Sequence, residues 1–144
     1  MRIDSFWGKY RFLSNFYPAL VWFEGNLYPS VEHAYQAAKS PFEETRELIR
    51  TLPTPGKAKK MGREIQFRKG WDDLRVGVME TILRSKFDEV DLQTMLLSTG
   101  DAELVEQNGW GDVFWGMCGE EGENNLGKLL MKIRKELLRS SETQ

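Results

Sequence analysis

The sequence predicts an α+β fold that is mostly helical, with a small β element near the N-terminus. Two short runs of aromatic and β-branched residues flank Glu24, Gly25 and Asn26, which is the pattern of a β-hairpin. From Ser30 onward, residues that start and stop helices recur along the chain. The length of 144 residues, without an internal repeat or a low-complexity linker, predicts a single domain over residues 1–144.

Three short helices are predicted directly after the hairpin. Ser30 is a good N-cap for the segment VEHAYQAAKS, and Pro41 ends that helix because the residue before a proline is pushed out of the helical region. Pro41 in turn suits the first position of the next helix, over FEETRELIRTL. The segment KAKKMGREI predicts a third, basic helix.

Three more helices are predicted in the second half of the chain. Asp72 or Asp73 would cap the first of them, and Gly100 would close the second at its C-terminus. The buried face of the first is expected to comprise Leu74, Val78, Ile82 and Leu83. The last helix is predicted over NNLGKLLMKIRKELLRS. Its core face is expected to comprise Leu126, Leu130, Ile133 and Leu137, which recur at helical spacing.

The composition limits the classes of function. A net charge of -2 argues against a protein that coats nucleic acid by bulk electrostatics, although a local basic groove stays open. Cys118 is the single cysteine, so an intrachain disulfide and a cysteine-based zinc site are excluded. The sequence shows neither a signal-peptide pattern nor about 18 uninterrupted apolar residues. We therefore expect a cytoplasmic protein with no membrane partner, no metal and no cofactor.

A polar stripe runs along the short alanine-rich helix after Ser30. Glu32, Gln36 and Lys39 recur at i, i+4 and i+7, on one face of this helix. A solvated face is the ordinary interpretation of such a stripe. The small residues around it instead indicate packing on several sides, in which case a substrate can be gripped between Glu32 and Lys39. His33 lies off the stripe, and we expect it to be a core or capping residue.

The segment from Asn108 to Asn125 is rich in glycine and contains two tryptophans, Trp110 and Trp115, with Asp112 between them. Glycines permit unusual backbone angles and close approach of a ligand. A floppy surface loop is the alternative, but tryptophans are seldom left in solvent. We therefore predict a binding loop.

Six cations follow one another between residues 57 and 69, against a single acid, Glu64. A solvated helix face is the default explanation for this run. In a net acidic protein the imbalance also indicates a phosphate site. The cations are Lys57, Lys59, Lys60, Arg63, Arg68 and Lys69. Together with the carboxylate and the aromatic faces, they suit a phosphorylated ligand that carries an aromatic ring.

Five segments then identify a family resemblance that covers nearly the whole chain. They are FLSNFYP (12–18), YPSVEHAYQAAK (28–39), AKKMGR (58–63), NGWGDVFWG (108–116) and NNLGKLLMKIR (124–134). In order and spacing they resemble the NADAR, or YbiA-like, family. The resemblance implies a YbiA-like fold and an N-glycosidase. Some members hydrolyse the C–N bond of ribosylamino-pyrimidine phosphates, which are early intermediates of riboflavin biosynthesis, and others remove ADP-ribose from guanine in nucleic acid.

The resemblance implies roles for individual residues. Glu32 would activate water or stabilise an oxocarbenium-like state, and it ranks above Asp112, which is a second acid or holds ribose hydroxyls. Lys39 would bind phosphate or a leaving-group atom, and an imine between Lys39 and a ring-opened sugar stays open. The expected substrate-binding residues are Asn15, Phe16, Gln36, Lys57, Lys60, Arg63, Trp110, Trp115 and Asn125.

Three functions compete. The preferred one is an N-glycosidase acting on a small phosphorylated ribosylamine. The second is a glycosidase that removes ADP-ribose from guanine in DNA or RNA, with nucleic acid as partner. The third is a non-catalytic module that binds ADP-ribose or a nucleotide, which the joint presence of Glu32 and Lys39 disfavours because binding alone needs no acid.

Overall fold

The computed structural model describes residues 1–142. The elements in chain order are β1 (Arg2–Ile3), a 3₁₀ helix (Gly8–Leu13), β2 (Pro18–Phe23), β3 (Asn26–Ser30), α1 (Val31–Ala38), α2 (Glu43–Arg50), α3 (Pro55–Gly62), α4 (Trp71–Lys86), α5 (Val90–Ser98), β4 (Glu103–Leu104), β5 (Met117–Cys118), β6 (Glu121–Gly122) and α6 (Asn125–Glu142). The predicted α+β, mostly helical class is confirmed. The chain forms two compact units, one of residues 15–86 and one of residues 1–14 with those from 87 onward.

The predicted hairpin lies at the start of the 15–86 unit. Strands β2 and β3 pair antiparallel, with Phe23 opposite Asn26. The two residues between them adopt positive φ angles, 46° at Glu24 and 85° at Gly25. That is the backbone of a tight two-residue hairpin turn, in which glycine is favoured because it has no β-carbon.

Helix α1 is the centre of the 15–86 unit. It packs against the hairpin and against α2, α3 and α4, and all eight of its residues are buried. Three alanines, Ala34, Ala37 and Ala38, are fully buried, and their small side chains let the neighbouring helices approach closely. The polar stripe on this helix therefore does not lie on a solvated face.

Three predicted helix starts are corrected by the structure. Helix α2 begins at Glu43 with Phe42 as N-cap, so Pro41 is not its first residue. Helix α3 starts earlier than predicted, at Pro55, because the side chain of Thr54 caps it. In α4 the carbonyl of Gly70 accepts from the amides of residues 73 and 74, which places the two aspartates inside the first turn instead of at the cap.

The buried face of α4 also differs from the prediction. Leu74 is 42% exposed, whereas Ile82 and Leu83 are fully buried as predicted. Trp71 and Met79 fill the positions that Leu74 and Val78 were expected to take. The hydrophobic pattern alone could not choose between these residues, because α4 carries apolar side chains on more than one face.

The other unit combines α5 and α6 with short strands. Strand β1 pairs in parallel with β4, and α6 packs on β4 and α5. Gly100 follows α5 at φ 65°, in the left-handed conformation predicted for a helix end. The buried guanidinium of Arg134 donates to the Thr99 hydroxyl and to the Ala102 carbonyl, each at 2.8 Å, which fixes α6 against the end of α5.

Two strand pairs, β1–β4 and β5–β6, were not predicted, so the β structure extends beyond the N-terminal hairpin. Each of their strands is two residues long, which is too short to show an alternating pattern in the sequence. Across residues 1–142 the structure contains no helix with the length and apolar character needed to cross a membrane.

Candidate active site

Glu32 lies in the first turn of α1. Its backbone amide donates a 3.0 Å hydrogen bond to the carbonyl of Asn15, which anchors the segment before the hairpin to the start of the helix. Its side chain is only 7% exposed, and one carboxylate oxygen, Oε1, accepts a 2.9 Å hydrogen bond from Nε2 of Gln36. A buried carboxylate must be hydrogen-bonded or paired with a cation, and Glu32 is held in this way.

Gln36 is buried beside Glu32, at 4% exposure. Its amide group donates to the carboxylate of Glu32, so it has a protein partner, and the substrate contact expected from the sequence stays a prediction. Its oxygen lies against Gly62 of α3, where a β-carbon would approach to 1.8 Å.

His33 is buried in the first turn of α1, which Ser30 caps, and this agrees with the prediction of a core or capping residue. Its backbone amide donates to Oγ of Ser30, and its Nδ1 lies 2.7 Å from the same oxygen. Its Nε2 lies 2.9 Å from the carbonyl oxygen of Leu52. Burial lowers the pKa of His33 and favours the neutral ring, while the hydrogen bond to Leu52 acts in the opposite direction.

Lys39 is the C-cap of α1, and its ammonium nitrogen lies over two aromatic rings. The Nζ atom is 5.4 Å from the ring centroid of Tyr35 and 5.2 Å from that of Phe67. Burial lowers the pKa of Lys39, and the positive charges of three neighbouring cations lower it further. The negative charge of Glu32 acts in the opposite direction. The two ends of the stripe are therefore close enough for the charge of Glu32 to act on Lys39, whereas the substrate expected between them stays a prediction.

The C-terminal end of α1 is held by two arginines. The amide of Arg68 donates to the Lys39 carbonyl, and Nε of Arg46 donates to the Ser40 carbonyl at 2.9 Å. Both guanidinium groups also bond to the carboxylate of Glu24 in the hairpin turn, at 3.1 Å and 3.3 Å. Cations at a helix C-terminus satisfy the free carbonyls and the helix dipole. The backbone of Lys39 is thus fixed by groups from three parts of the unit.

Burial alone would raise the pKa of the Glu24 carboxyl, but the hydrogen bonds and charges of Arg68 and Arg46 outweigh it and lower that pKa. Glu24 therefore stays ionised and keeps both arginines in place near neutral pH. This carboxylate was not among the predicted site residues.

Of the three cations whose charges act on Lys39, two belong to the predicted basic run and one does not. They are Arg63, Lys59 and, from α4, Arg75. Lys59 also lies over the ring of Phe16, with Nζ 5.9 Å from the centroid, so Phe16 lies near this cluster. Lys57 and Lys60 are not among these cations, and both are exposed, as Arg63 is too. We call Lys59, Arg63 and Arg75 the inner set, because their charges act on Lys39, and Lys57 and Lys60 the outer set.

The predicted binding loop belongs to the other unit and is stabilised by Asp112. Its Oδ1 accepts hydrogen bonds from the amides of Phe114 and Trp115, at 3.1 Å and 2.9 Å. The side chain of Asn108 bonds to both backbone polar groups of Asp112. Asp112 therefore has a structural function in the loop.

The other predicted residues of this loop differ in exposure. Trp110 is 55% exposed, whereas Trp115 is half-buried and packs edge-on against Phe114 with ring centroids 4.9 Å apart. The side chain of Asn125 donates to the Phe114 carbonyl at 2.9 Å. The loop is thus ordered by its own contacts and presents Trp110 to solvent.

Sequence reasoning missed four residues near Lys39: Phe67, Trp71, Arg75 and Glu24. Trp71 packs on Tyr35 with ring centroids 5.4 Å apart. All four lie outside α1 in sequence, and only the position of Phe67 inside the basic run, directly before Arg68, could have pointed to that residue. Among residues 1–142, no group of three or more histidine, cysteine and acidic side chains is arranged to hold a metal ion.

The chain is similar to known proteins in sequence and in fold. The chain is 40% identical over 128 residues to the N-glycosidase YbiA of Shigella flexneri, an alignment that covers 86% of this chain and 79% of YbiA. It is 42% identical over 130 residues to a riboflavin biosynthesis protein of Vibrio vulnificus, covering 88% of this chain but only 35% of that longer protein. These relatives confirm the prediction of an N-glycosidase.

The fold and the family are shown by two further comparisons. The NMR structure of the Escherichia coli protein YbiA superimposes with a TM-score of 0.87 at 35% identity, covering 100% of this chain and 88% of that protein. The sequence profile of the NADAR domain matches residues 5–138, a range that includes residues of both units. The chain therefore belongs to the NADAR domain family.

Proposed function

We propose that this N-glycosidase hydrolyses the C–N glycosidic bond of ribosylamino-pyrimidine phosphates. The observation that carries the proposal is that Glu32 in the first turn of one short buried helix and Lys39 at its C-cap are close enough for the charge of the carboxylate to raise the pKa of the amine. The name of the Vibrio relative, a riboflavin biosynthesis protein, supports this substrate class. The chain spans only 35% of that protein, so the name of the Vibrio protein supports the substrate class but does not assign it to this chain.

Glu32 acts on the sugar carbon. Departure of the base leaves positive charge on C1 and the ring oxygen, and a nearby carboxylate stabilises that charge. The same carboxylate takes a proton from water as the water oxygen bonds to C1. Burial strengthens both effects because the local dielectric constant is low.

Lys39 acts on the leaving group or its neighbours. A lysine whose pKa is lowered is a stronger acid than an ordinary lysine, so it gives a proton more readily to the departing nitrogen. The bond from C1 to nitrogen breaks, and nitrogen takes the electron pair and a proton. The released base and ribose phosphate then account for all atoms of the substrate and one water.

The inner cations suit the phosphate of the substrate. Lys59, Arg63 and Arg75 all lie close enough to influence Lys39, so an anion near Lys39 would meet several positive charges. Phe67 is 45% exposed beside the same amine, and we assign its free face to the pyrimidine ring. For the tryptophan loop we propose a part in substrate binding that rests on the exposed surface of Trp110.

Removal of ADP-ribose from guanine in nucleic acid is the second candidate. One observation favours it, namely that Lys57 and Lys60 of α3 are exposed. These two lysines would be accessible to further phosphate groups of a polynucleotide. A small substrate with one phosphate would not need them.

The test is product formation by the purified chain. It is incubated separately with a ribosylamino-pyrimidine phosphate and with an oligonucleotide carrying ADP-ribosyl-guanine, and free base, ribose phosphate and ADP-ribose are measured by chromatography. Release of pyrimidine base and ribose phosphate supports the proposal. Release of ADP-ribose alone would replace it by the second candidate, and binding without either product would identify a binding module.

A second arm distinguishes the two chemical routes. Borohydride is added during turnover, followed by mass spectrometry of the protein. Direct hydrolysis predicts an unmodified chain, whereas an imine between Lys39 and the ring-opened sugar would be reduced to a stable adduct on that residue.

A further inference from the structure

The structure assigns Gln36 the function of a positioning residue that holds the carboxylate of Glu32 through its side-chain amide, and it assigns Gly62 the function of leaving room for that amide. This inference rests on the proposed function in one respect, namely that Glu32 is the group that reacts. It deepens that proposal because it names what fixes the reacting carboxylate.

The first step is the contact between the two side chains. Nε2 of Gln36 donates to Oε1 of Glu32 at 2.9 Å, and the two residues are one helical turn apart on α1. Both are buried, at 4% and 7% exposure, so water competes little for this hydrogen bond. A donor to one carboxylate oxygen fixes the plane of the carboxylate, which sets the direction in which Oε2 points.

The second step is the packing of Gln36 on α3. A β-carbon at Gly62 would lie 1.8 Å from Oε1 and 2.7 Å from Cδ of Gln36. Both distances are far below van der Waals contact, so any other residue at position 62 would displace the amide group. The amide of Gln36 thus occupies the space that the missing side chain leaves free.

The third step is that the backbone does not explain Gly62. Glycine is a poor helix former, and at helix ends it is usually favoured because it adopts a positive φ. Gly62 is the last residue of α3, but its φ is not positive. Its contact with Gln36 is therefore the physical reason for a glycine at this position.

The fourth step concerns cost. Within residues 1–142, Oε1 of Gln36 receives no hydrogen bond although it is buried. An unsatisfied buried acceptor is unfavourable, and a simple apolar side chain would avoid it. The amide at position 36 is therefore better explained by its donor group, which serves Glu32, than by packing alone.

The experiment compares two glycine variants. In Gly62→Ala the far end of Gln36 must move, whereas at Gly77, which is also helical, an added β-carbon meets open space among the described residues. Gly77→Ala is therefore the matched control. The first readout needs no substrate: the ¹H–¹⁵N signals of the Gln36 side-chain amide, assigned with a Gln36→Leu variant, are compared between the variants and the wild-type protein.

The second readout is kinetic. Gly62→Ala and Gln36→Leu should lower kcat by roughly 10–100-fold, the range expected when a reacting group is misplaced by about 1 Å, with KM changed little. The acidic limb of the kcat/KM profile should move to higher pH in both variants, because the ionised carboxylate has lost a donor. Gly77→Ala should retain the wild-type amide signals, kcat and pH profile. If Gln36 had only a structural function, Gln36→Leu would lower the melting temperature without moving the pH profile of kcat/KM.

The inference is overturned if the Gln36 amide signals of Gly62→Ala match those of the wild type, or if Gln36→Leu keeps the wild-type kcat and pH profile while Glu32→Gln is inactive. Failure of the proposed function has a different signature. In that case Glu32→Gln itself retains full turnover, and the amide signals of Gly62→Ala still decide whether Gly62 makes room for the amide.

Discussion

Lys39 and Phe67 are in direct contact, with the amine nitrogen of the lysine 5.2 Å from the ring centroid of the phenylalanine. A cation at this distance from an aromatic face is attracted to the ring, and the ring also excludes water from the amine. The ring of Tyr35 also attracts this amine, which lies 5.4 Å from the Tyr35 ring centroid. The amine of Lys39 is therefore held in a partly dry environment beside an aromatic face that is still open to a ligand.

The first prediction concerns the pH dependence that this environment imposes. Burial, together with Arg63, Lys59 and Arg75, lowers the pKa of Lys39 from 10.5, so its ammonium form is lost at a lower pH than in an ordinary lysine. If the ammonium donates a proton to the leaving group, kcat/KM should fall as the pH rises through this lowered pKa. Arg63→Met removes a like charge and should move the alkaline limb to higher pH.

The measurement is the kcat/KM profile between pH 6 and pH 10 for the wild type, Arg63→Met and Lys39→Arg. The last variant keeps a cation that does not titrate in this range, so its alkaline limb should disappear. An alkaline limb that stays in place in Lys39→Arg would show that another group causes it.

The second prediction ranks the two acids. Glu32→Gln keeps the size of the side chain and its ability to accept from Gln36, but it removes the charge. We expect a loss of kcat on the order of 10²–10⁴-fold with a nearly unchanged melting temperature. Asp112→Asn keeps an oxygen that can accept from the amides of Phe114 and Trp115, so the loop should survive and the loss should be smaller. Equal losses in the two variants would contradict this ranking.

The third prediction separates binding from folding in the tryptophan loop. Trp110 is 55% exposed, so Trp110→Ala should raise KM and leave the melting temperature nearly unchanged. The expected effect is roughly 1–3 kcal/mol, by analogy with aromatic residues that stack on bases. Trp115 is half-buried against Phe114, so Trp115→Ala should also lower the melting temperature. An unchanged KM in Trp110→Ala would remove this residue from the substrate site.

The hairpin and α1 could be predicted from the sequence because their signals are local. The turn at Glu24 and Gly25, the cap at Ser30 and the stripe from Glu32 to Lys39 each depend on residues a few positions apart. The start of α2 was predicted less well than these elements. The hydroxyl of Ser40 accepts from the amide of Phe42, and α2 begins only after Phe42, at Glu43. Local patterns therefore located the elements better than their boundaries.

The surroundings of Lys39 depended on tertiary structure and could not be predicted in the same way. Arg75 approaches from α4 and Phe67 from the segment before it, and no spacing rule links either to α1. The basic run was visible in the sequence, but its division into inner and outer cations follows from the packing of Ala58 and Gly62 against the core. The extent of one domain over residues 1–144 and the catalytic roles of the site residues stay predictions.

The fourth prediction concerns a lysine outside the proposed site. Lys86 is fully buried at the end of α4, with its amine 5.7 Å from the ring centroid of Tyr17, and burial lowers its pKa from 10.5 to about 7. Because its pKa is lowered in the folded state, Lys86 binds its proton more tightly in the unfolded chain. Its burial therefore reduces the free energy of unfolding by the full amount below pH 7, and this penalty disappears as the pH rises toward 10.5. The cost below pH 7 is on the order of 3–5 kcal/mol.

Lys86→Met should therefore stabilise the protein at pH 6 and have a smaller effect near pH 10. The measurement is the free energy of unfolding in urea at both pH values, with the exposed Lys135→Met as control. If Lys86→Met instead destabilises the protein equally at both values, the contacts of the Lys86 amine outweigh its burial.

The last prediction decides which substrate the cations serve. A small ribosylamine with one phosphate should need the inner cations, Lys59 and Arg63, and its binding should depend only mildly on salt. A polynucleotide carrying ADP-ribosyl-guanine should also contact the outer pair, Lys57 and Lys60, and each phosphate contact adds about -0.7 to the slope of log K against log salt concentration. Binding of both ligands is measured across a salt series in the inactive Glu32→Gln background.

Alanine variants of the two pairs provide the comparison. For the small substrate, Lys59→Ala with Arg63→Ala should weaken binding strongly, because these two charges act on Lys39. Lys57→Ala with Lys60→Ala should leave this binding unchanged, because neither charge is among those that act on Lys39. For a polynucleotide, the outer pair should weaken binding and flatten the slope by about 1.4, which corresponds to two lost contacts. We expect the first pattern, since the cations that act on Lys39 are the inner ones. A slope steeper than about -2 with the oligonucleotide, together with undetectable binding of the ribosylamine phosphate, would make nucleic acid the substrate.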